Sequence, residues 1–329
     1  IEYDAKGRRT RIDYSDSSSH DEFYTEYTYD ELTYRLTHFK TIRSSDSKLV
    51  QSLAYTYDPV GNIVATTDSA AGDLVFDTTG TIESADREFT YDALYRLVEA
   101  KGREHQQAGG FLDEAEATLH DLRHAADPLG LRRYTRSYAY DDNGNLTSMA
   151  HSPTGGTAWD REYALVAGTN RLAQTRNQAG TAPGPWSTYA YDAHGNMVAM
   201  PHLELIEWDF ADRMRHVDKG SGTNQHTYFV YDASGQRVRK VWDHGQYRDE
   251  RIYLGGYEIF RRYTNGTLTD ERETIHVSDD VRRVCMVETT TLVGGTSGST
   301  SRKRYQLDDH LGSCGVEVDE DGALITFEE

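Results

Sequence analysis

The chain is short of several things at once, and each shortage removes a class of protein. Its 329 residues hold two cysteines, Cys285 and Cys314, too few for a disulfide framework and without metal-ligand spacing. Both read as small buried or edge residues. Six prolines and 28 glycines are too few for a collagen-like or disordered chain. A mean hydropathy of -0.74 nevertheless points to a thin core. No window approaches the roughly 18 consecutive apolar residues of a membrane helix, so no membrane span is expected. Positive charge is scarce: 35 Lys+Arg stand against 54 Asp+Glu, a net charge of -19. Such a surface repels phosphate backbones, which argues against nucleic acid as a partner. The opening IEYDAKGRRT carries neither an initiator Met nor an apolar signal segment and starts inside a repeat, so a piece of a longer protein is expected.

What the chain has in quantity is tyrosine, 23 residues, many of them in one recurring phrase. YTYD occurs at Tyr27 and Tyr55, and YAYD at Tyr138 and Tyr189. The motif residues are Tyr57, Asp58, Gly61 and Asn62; Tyr91 and Asp92; Tyr140, Asp141, Gly144 and Asn145; Tyr191, Asp192, Gly195 and Asn196; and Tyr231, Asp232 and Gly235. Alternation in Tyr55-Thr56-Tyr57 places both rings on one face of a strand. The Asp suits the first position of a turn, where its carboxylate accepts from backbone N–H groups two residues on. Gly-Asn then supplies residues tolerant of φ > 0, as a bulged hairpin requires. Each Asp therefore reads as a turn-former and not a catalyst.

Less regular copies lie at Tyr3-Asp4, Tyr29-Asp30 and Trp208-Asp209, making eight. Asp192 and Asp209 are 17 residues apart, Asp141 and Asp192 are 51. A close-packed solenoid would not tolerate that irregularity, whereas hairpins added edge to edge would shed extra length as loops. The expected fold is all-β, one continuous antiparallel ribbon that coils as it grows. Helical spacing of apolar residues over about 108–127 predicts a short inserted helix. The Gly/Ser/Thr-rich stretches at 179–184 and 294–303 read as mobile loops.

The motifs resemble the Rhs/YD-repeat family. Beyond the repeats, Tyr305-Gln306-Leu307-Asp308-Asp309-His310-Leu311-Gly312-Ser313, then Asp319, Gly322 and Glu328-Glu329, are similar to the Rhs core signature YxxxDHLGS…D.xG….EE. YDPVGN at Tyr57, YDALYRLVEAKGREH from Tyr91 and ERIYLGGYEIFR from Glu250 extend the likeness over nearly the whole chain, to toxin-complex C components and related Rhs toxins, and more distantly to teneurins. The resemblance implies that the hairpins form part of a hollow shell around a toxin polypeptide. It implies further Rhs segments or a toxin-complex B component as partners, and export from the cell. On this reading 1–304 is the hairpin ribbon and 305–329 the core signature. An extracellular adhesion or carbohydrate-binding module is the alternative.

The family's aspartyl self-cleavage segment follows the core signature, which puts it past Glu329. Asp127-Pro128-Leu129-Gly130-Leu131 spells a similar motif but precedes several repeats, and reads as a loop. Asp308-Asp309-His310 invites a catalytic or metal reading, yet consecutive strand residues point to opposite faces, favouring a hydrogen-bonded turn. His120 and His124 share a helical face but make only two ligands. Ser313 lacks a nucleophile-elbow context, and the paired glycines lack nucleotide-binding spacing. No catalytic residue, metal site or cofactor is expected.

Overall fold

The computed structural model describes residues 1–14, 22–71, 83–106, 130–179, 182–220, 224–279 and 282–327. The helix expected near 108–127, the His120/His124 pair and Asp127 to Leu129 lie outside the described residues. The chain divides into two compact units, Ile1–Trp186 with Leu307–Glu329, and Ser187–Gln306.

In the first unit thirteen strands, from Glu2–Tyr3 to Ala182–Pro183, are laid side by side in sequence order. Neighbours pair antiparallel, as Tyr27↔Phe39 and Tyr55↔Thr66 illustrate. In the second unit the strands from Leu205–Trp208 to Thr296–Asp308 follow the same rule. Ala190–Tyr191 and Met197–Ala199 form a separate two-stranded ladder, so the expected single ribbon is interrupted there. The stretch at 294–303, expected as a mobile loop, is instead a Gly294-Gly295 turn running into the 13-residue strand Thr296–Asp308. Its Ser and Thr side chains are compatible with a pleated backbone, and pairing to Arg283–Val293 outweighs their loop-like composition.

Register shifts mark the hairpin ends. They fall between Thr28 and Tyr29, Thr56 and Tyr57, Thr90 and Tyr91, and Val230 and Tyr231, one bulge at each Tyr-Asp corner.

The core is narrow, as the polar composition requires. In the first unit Ile12, Tyr14, Phe23, Phe39, Val50 and Tyr55 are buried, together with Leu307, Val316 and Val318 from the far end of the chain. Tyr14 stacks on Phe23 at 4.5 Å between centroids, Tyr27 on Phe39 at 5.7 Å, and Phe39 lies 6.1 Å from Tyr55. Ring pairs of this kind add about 0.5–1.5 kcal/mol beyond their burial. In the second unit charge takes up part of the interior. Glu250 and Glu258 are buried and paired with Arg239 and Arg251. Removing either arginine would leave an uncompensated carboxylate, which is why such pairs resist single substitution.

Candidate functional site: a repeated corner and a closing segment

The Tyr-Asp corner is a closed hydrogen-bonding unit. At Asp58 the backbone N–H donates to Asn62 O at 2.9 Å and Gly61 N–H donates to Asp58 O at 3.2 Å. The carboxylate faces inward: Oδ1 accepts from Gly61 N–H at 2.7 Å and Asn62 N–H at 2.9 Å, while Oδ2 accepts from Asn62 Nδ2 at 2.7 Å. Asp141 and Asp192 repeat this with Asn145 and Asn196. At Asp4, Asp92 and Asp209 an arginine replaces the asparagine, and Nε of Arg8, Arg96 and Arg213 reaches Oδ2 at 2.6–2.8 Å.

Only the residue before the Asn, Arg or Gln that ends the corner adopts positive φ. It is glycine in Gly61, Gly144, Gly195 and Gly235, but Tyr95 (φ 63°) and Asp212 (φ 56°) occupy the same place in other copies. The asparagine after the glycine is thus chosen for its side-chain amide and not for conformational freedom.

These contacts hold the corner carboxylates ionised. The Asn145 amide and N–H, with the Asn143 N–H, keep Asp141 below its ordinary value. The Ser234 hydroxyl and Gln236 N–H do the same at Asp232. Each acid is turned onto its own turn, an acceptor with its lone pairs engaged.

Consecutive copies are tied by the tyrosine. The hydroxyl of Tyr29 donates to Arg9 O at 2.9 Å, Tyr57 to Leu36 O at 2.7 Å, Tyr91 to Ile63 O at 3.0 Å, Tyr140 to Leu97 O at 2.8 Å and Tyr231 to Met214 O at 2.8 Å. In every case the acceptor is the residue just past the preceding corner. At the Trp208 copy the indole N–H makes the same bond to Met197 O at 2.8 Å. Burial raises the pKa of Tyr29, Tyr57, Tyr91 and Tyr140, so these hydroxyls stay protonated donors.

The arginines of one corner also serve the next. Arg35, Arg96 and Arg213 donate through Nη1 to the carbonyls of Asp58, Asp141 and Asp232, at 3.1–3.2 Å. Their guanidinium carbons sit 5.0–5.5 Å from the rings of Tyr57, Tyr140 and Tyr231. Sequence reasoning missed this role. The signal was the Tyr-Arg-Leu following Asp30 and Asp92, which looks like ordinary strand polarity until the partner carbonyl is known.

The C-terminal segment contains two further corners. Asp309 Oδ1 accepts from Leu311 N–H at 2.8 Å and Ser313 N–H at 2.9 Å, with Gly312 at φ 84°. Asp319 accepts from Asp321 N–H at 3.0 Å and Ala323 N–H at 2.8 Å, with Gly322 at φ 73°. The eight copies found by sequence become ten. The Asp-to-Gly offset of three would have revealed both, but no tyrosine precedes either Asp.

This segment packs onto the first unit's earliest strands. Gln51 Nε2 donates to Leu307 O at 3.3 Å, and His310 N–H donates to the Tyr55 hydroxyl at 3.3 Å. The His310 ring meets Tyr55 edge-on at 4.7 Å, extending the aromatic column. A Cβ on Gly322 would come within 3.3 Å of Phe23 Cδ1 and Arg43 Cγ. Leu311 is exposed at the corner tip, and Tyr305 pairs with Cys285 across its strand. A cavity of about 270 Å³ lies beside the contact, lined in part by Gln51, Arg87, Asp309, Cys314 and Phe327. Burial, then the charges of Glu317 and Asp308, push the Cys314 thiol up to about 11, far from a reactive thiolate. Asp309 binds the Ser313 backbone, and the His310 ring turns to Tyr55. No group of three or more His, Cys, Asp or Glu among the described residues could hold a metal ion.

No family model matches the chain. Toxin subunit YenC2 of Yersinia entomophaga is 28% identical over 318 residues, 93% of this chain and 32% of that protein. Toxin subunit YenC1 of the same organism is 26% identical over 342 residues, 100% of this chain and 34% of that one. A structure titled TcdB2-TccC3-TEV superposes on 100% of this chain with a TM-score of 0.80 at 26% identity. The chain is similar in sequence to toxin-complex C-type subunits and in fold to the Rhs shell of TcdB2-TccC3. A protein named probable deoxyribonuclease RhsA, from Dickeya dadantii (strain 3937), is 26% identical over 55% of this chain and 16% of its own length. TcdB2-TccC3 without its hypervariable C-terminal region gives a TM-score of 0.79 at 25% identity. The chain spans about a third of the length of the two toxin subunits and 15% of the two solved chains.

Proposed function

We propose that this chain is an Rhs/YD-repeat wall segment of a toxin-complex shell that encapsulates a toxin or effector polypeptide for delivery outside the cell. The observation that carries the reading is the corner-to-corner latch. The corner aspartates hold their own turns, and Tyr29, Tyr57, Tyr91, Tyr140 and Tyr231 hold one hairpin to the one before, the arrangement of a wall. Likeness to two toxin subunits and to TcdB2-TccC3 supports the same assignment. The remaining wall would come from other Rhs segments or a B-type component. Residues 305–329 would act as the ribbon's closing segment.

The test is protease protection. The complete protein containing this chain, assembled with its B-type component, is digested before and after heat disruption of the shell. Encapsulation predicts that a polypeptide fused after the core signature survives in the intact assembly and is degraded once the assembly is disrupted. Equal degradation in both states would overturn the reading.

A further inference from the structure

The ribbon is interrupted where Ala190–Tyr191 and Met197–Ala199 form a ladder of their own, and side chains bridge that ladder to the strands that follow. Trp208 Nε1 donates to Met197 O at 2.8 Å and Asn196 Nδ2 donates to Asp212 Oδ1 at 2.8 Å. His194 Nδ1 lies 2.9 Å from the same Asp212 oxygen. Two groups of one corner therefore converge on a single carboxylate oxygen of the next.

Asp212 adopts a costly backbone to be there. It stands at φ 56°, where Gly61, Gly144, Gly195 and Gly235 stand in other copies. A side chain in the left-handed region is penalised, although Asp bears this better than most residues. The turn itself does not need the Asp212 carboxylate, because Asp209 already serves the corner: its oxygens accept from Arg213 N–H at 3.1 Å and Arg213 Nε at 2.8 Å. Two acids in one turn thus have two jobs, one holding the turn and one reaching the preceding copy.

Of the three bridging donors, the imidazole is the one whose charge changes near neutral pH. The charged groups about it are Asp212 across the junction and Asp192 on its own corner; Arg213 is turned away to Asp209 and to Asp232 O. The Asp212 hydrogen bond and charge, then the charge of Asp192, raise the His194 pKa above its ordinary 6.5. Asp212 is held below 3.8, first by the Asn196 amide and then by His194.

We propose that His194 and Asp212 form a proton-operated catch that fastens the short ladder to the strands Leu205–Trp208 and Met214–Asp218. With the imidazole protonated the bond is charge-assisted, roughly twice as strong as a neutral one. Because the folded pKa of His194 is raised, the added hold is complete below about pH 6.5 and is lost as pH rises through the folded value. The side chains are 67% and 50% exposed, so solvent screening limits the change in local opening to about fivefold. The Asn196 and Trp208 bonds do not titrate in this range, and the junction loosens without detaching. The catch is independent of the shell reading.

The test is hydrogen exchange of the whole chain between about pH 5.5 and about pH 8.5, with protection taken relative to the intrinsic rate at each pH. Protection of the amides in Ala190–Tyr191 and Met197–Ala199 should fall two- to fivefold, by rough estimate, towards the alkaline end in the parent. It should stay level in His194→Gln, which keeps a neutral donor. It should also stay level in Asp212→Asn, which removes the charge while keeping a residue that tolerates the left-handed backbone. Both positions are exposed, so thermal unfolding of the variants should follow the parent. An NMR titration should place His194 above 6.5 in the parent and closer to it in Asp212→Asn. Level protection in the parent would overturn the proposal. So would the same pH dependence in all three proteins, or a His194 that titrates at or below its ordinary value.

Discussion

The Tyr57 hydroxyl donates a 2.7 Å hydrogen bond to the carbonyl oxygen of Leu36, 21 residues earlier, at the point where the preceding corner becomes a strand. The bond spans one full repeat and recurs down the first unit. It converts a local hairpin signal into a longitudinal connection, because each tyrosine is placed by its own strand but satisfied by the previous copy.

Tyr57→Phe should therefore lower stability by about 1 kcal/mol, the net worth of one hydrogen bond whose acceptor is left part-buried. The ring and the Arg35 contact remain, so packing loss is minor. Urea unfolding of the two proteins checks this, and an unchanged midpoint would show that water replaces the phenol at no cost.

Acid should weaken the corners together. Asp141 and Asp232 are held below their ordinary value of 3.8 by hydrogen bonds made only in the folded chain. A carboxylate with a depressed folded pKa contributes stability that is complete above the unfolded value and is lost as pH falls through the folded one. Melting temperature should accordingly drop below about pH 4 on this account. Asp141→Asn should shrink that drop while lowering stability at neutral pH; identical acid profiles for parent and variant would contradict it.

Gly322→Ala should cost about 2 kcal/mol, because the left-handed backbone at φ 73° penalises a Cβ. The new atom also meets Phe23 and Arg43. Gly235→Ala has the same type of backbone at φ 86° and open space around it, and should cost only about 1 kcal/mol. Comparing the two by denaturant titration separates backbone strain from the crowding of the closing segment.

His151 gives a second pH signature, at milder acidity. It is buried, with its ring 5.1 Å from Tyr134 and 4.9 Å from Trp159. Burial lowers its pKa below the usual 6.5; Glu104, 3.0 Å from Nε2, pulls the other way, and Arg136 and Arg132 oppose protonation. A base whose folded pKa is depressed contributes stability that is complete above about 6.5 and declines as pH falls below it. Hydrogen-exchange protection in the strand Leu146–Pro153, taken relative to the intrinsic rate at each pH, should fall between pH 7 and about 5.5 in the parent and stay flatter in His151→Phe.

Much of the fold was legible because the corner is local. Tyr55-Thr56-Tyr57-Asp58 and Gly61-Asn62 encode strand, turn and bulge within eight residues, and the structure places them so. The partners of the tyrosines were not legible. Tyr57 reaches back 21 residues and Tyr140 reaches back 43, a distance set by insertions that no local pattern records. Asp309 and Asp319 escaped as corners because Asp308 and Val318 stand where a tyrosine was expected. The return of residues 307–322 to Phe23, Gln51 and Tyr55 joins positions more than 250 apart and follows from burial of Val316 and Val318, not from any motif. The reading of 294–303 as a loop failed because composition reports what the backbone tolerates, and strand pairing decides what it adopts.

Where Tyr29, Tyr57, Tyr91, Tyr140 and Tyr231 form the latch it addresses the immediately preceding copy, a nearest-neighbour grammar under which a whole hairpin can be inserted or excised while the tyrosines on either side still find an acceptor. The clasp at Gln51, Tyr55 and His310 obeys a different rule, since it can fasten only when the intervening strip has the right pitch and tally. Length is thus free to drift locally and is audited once, at the fastening.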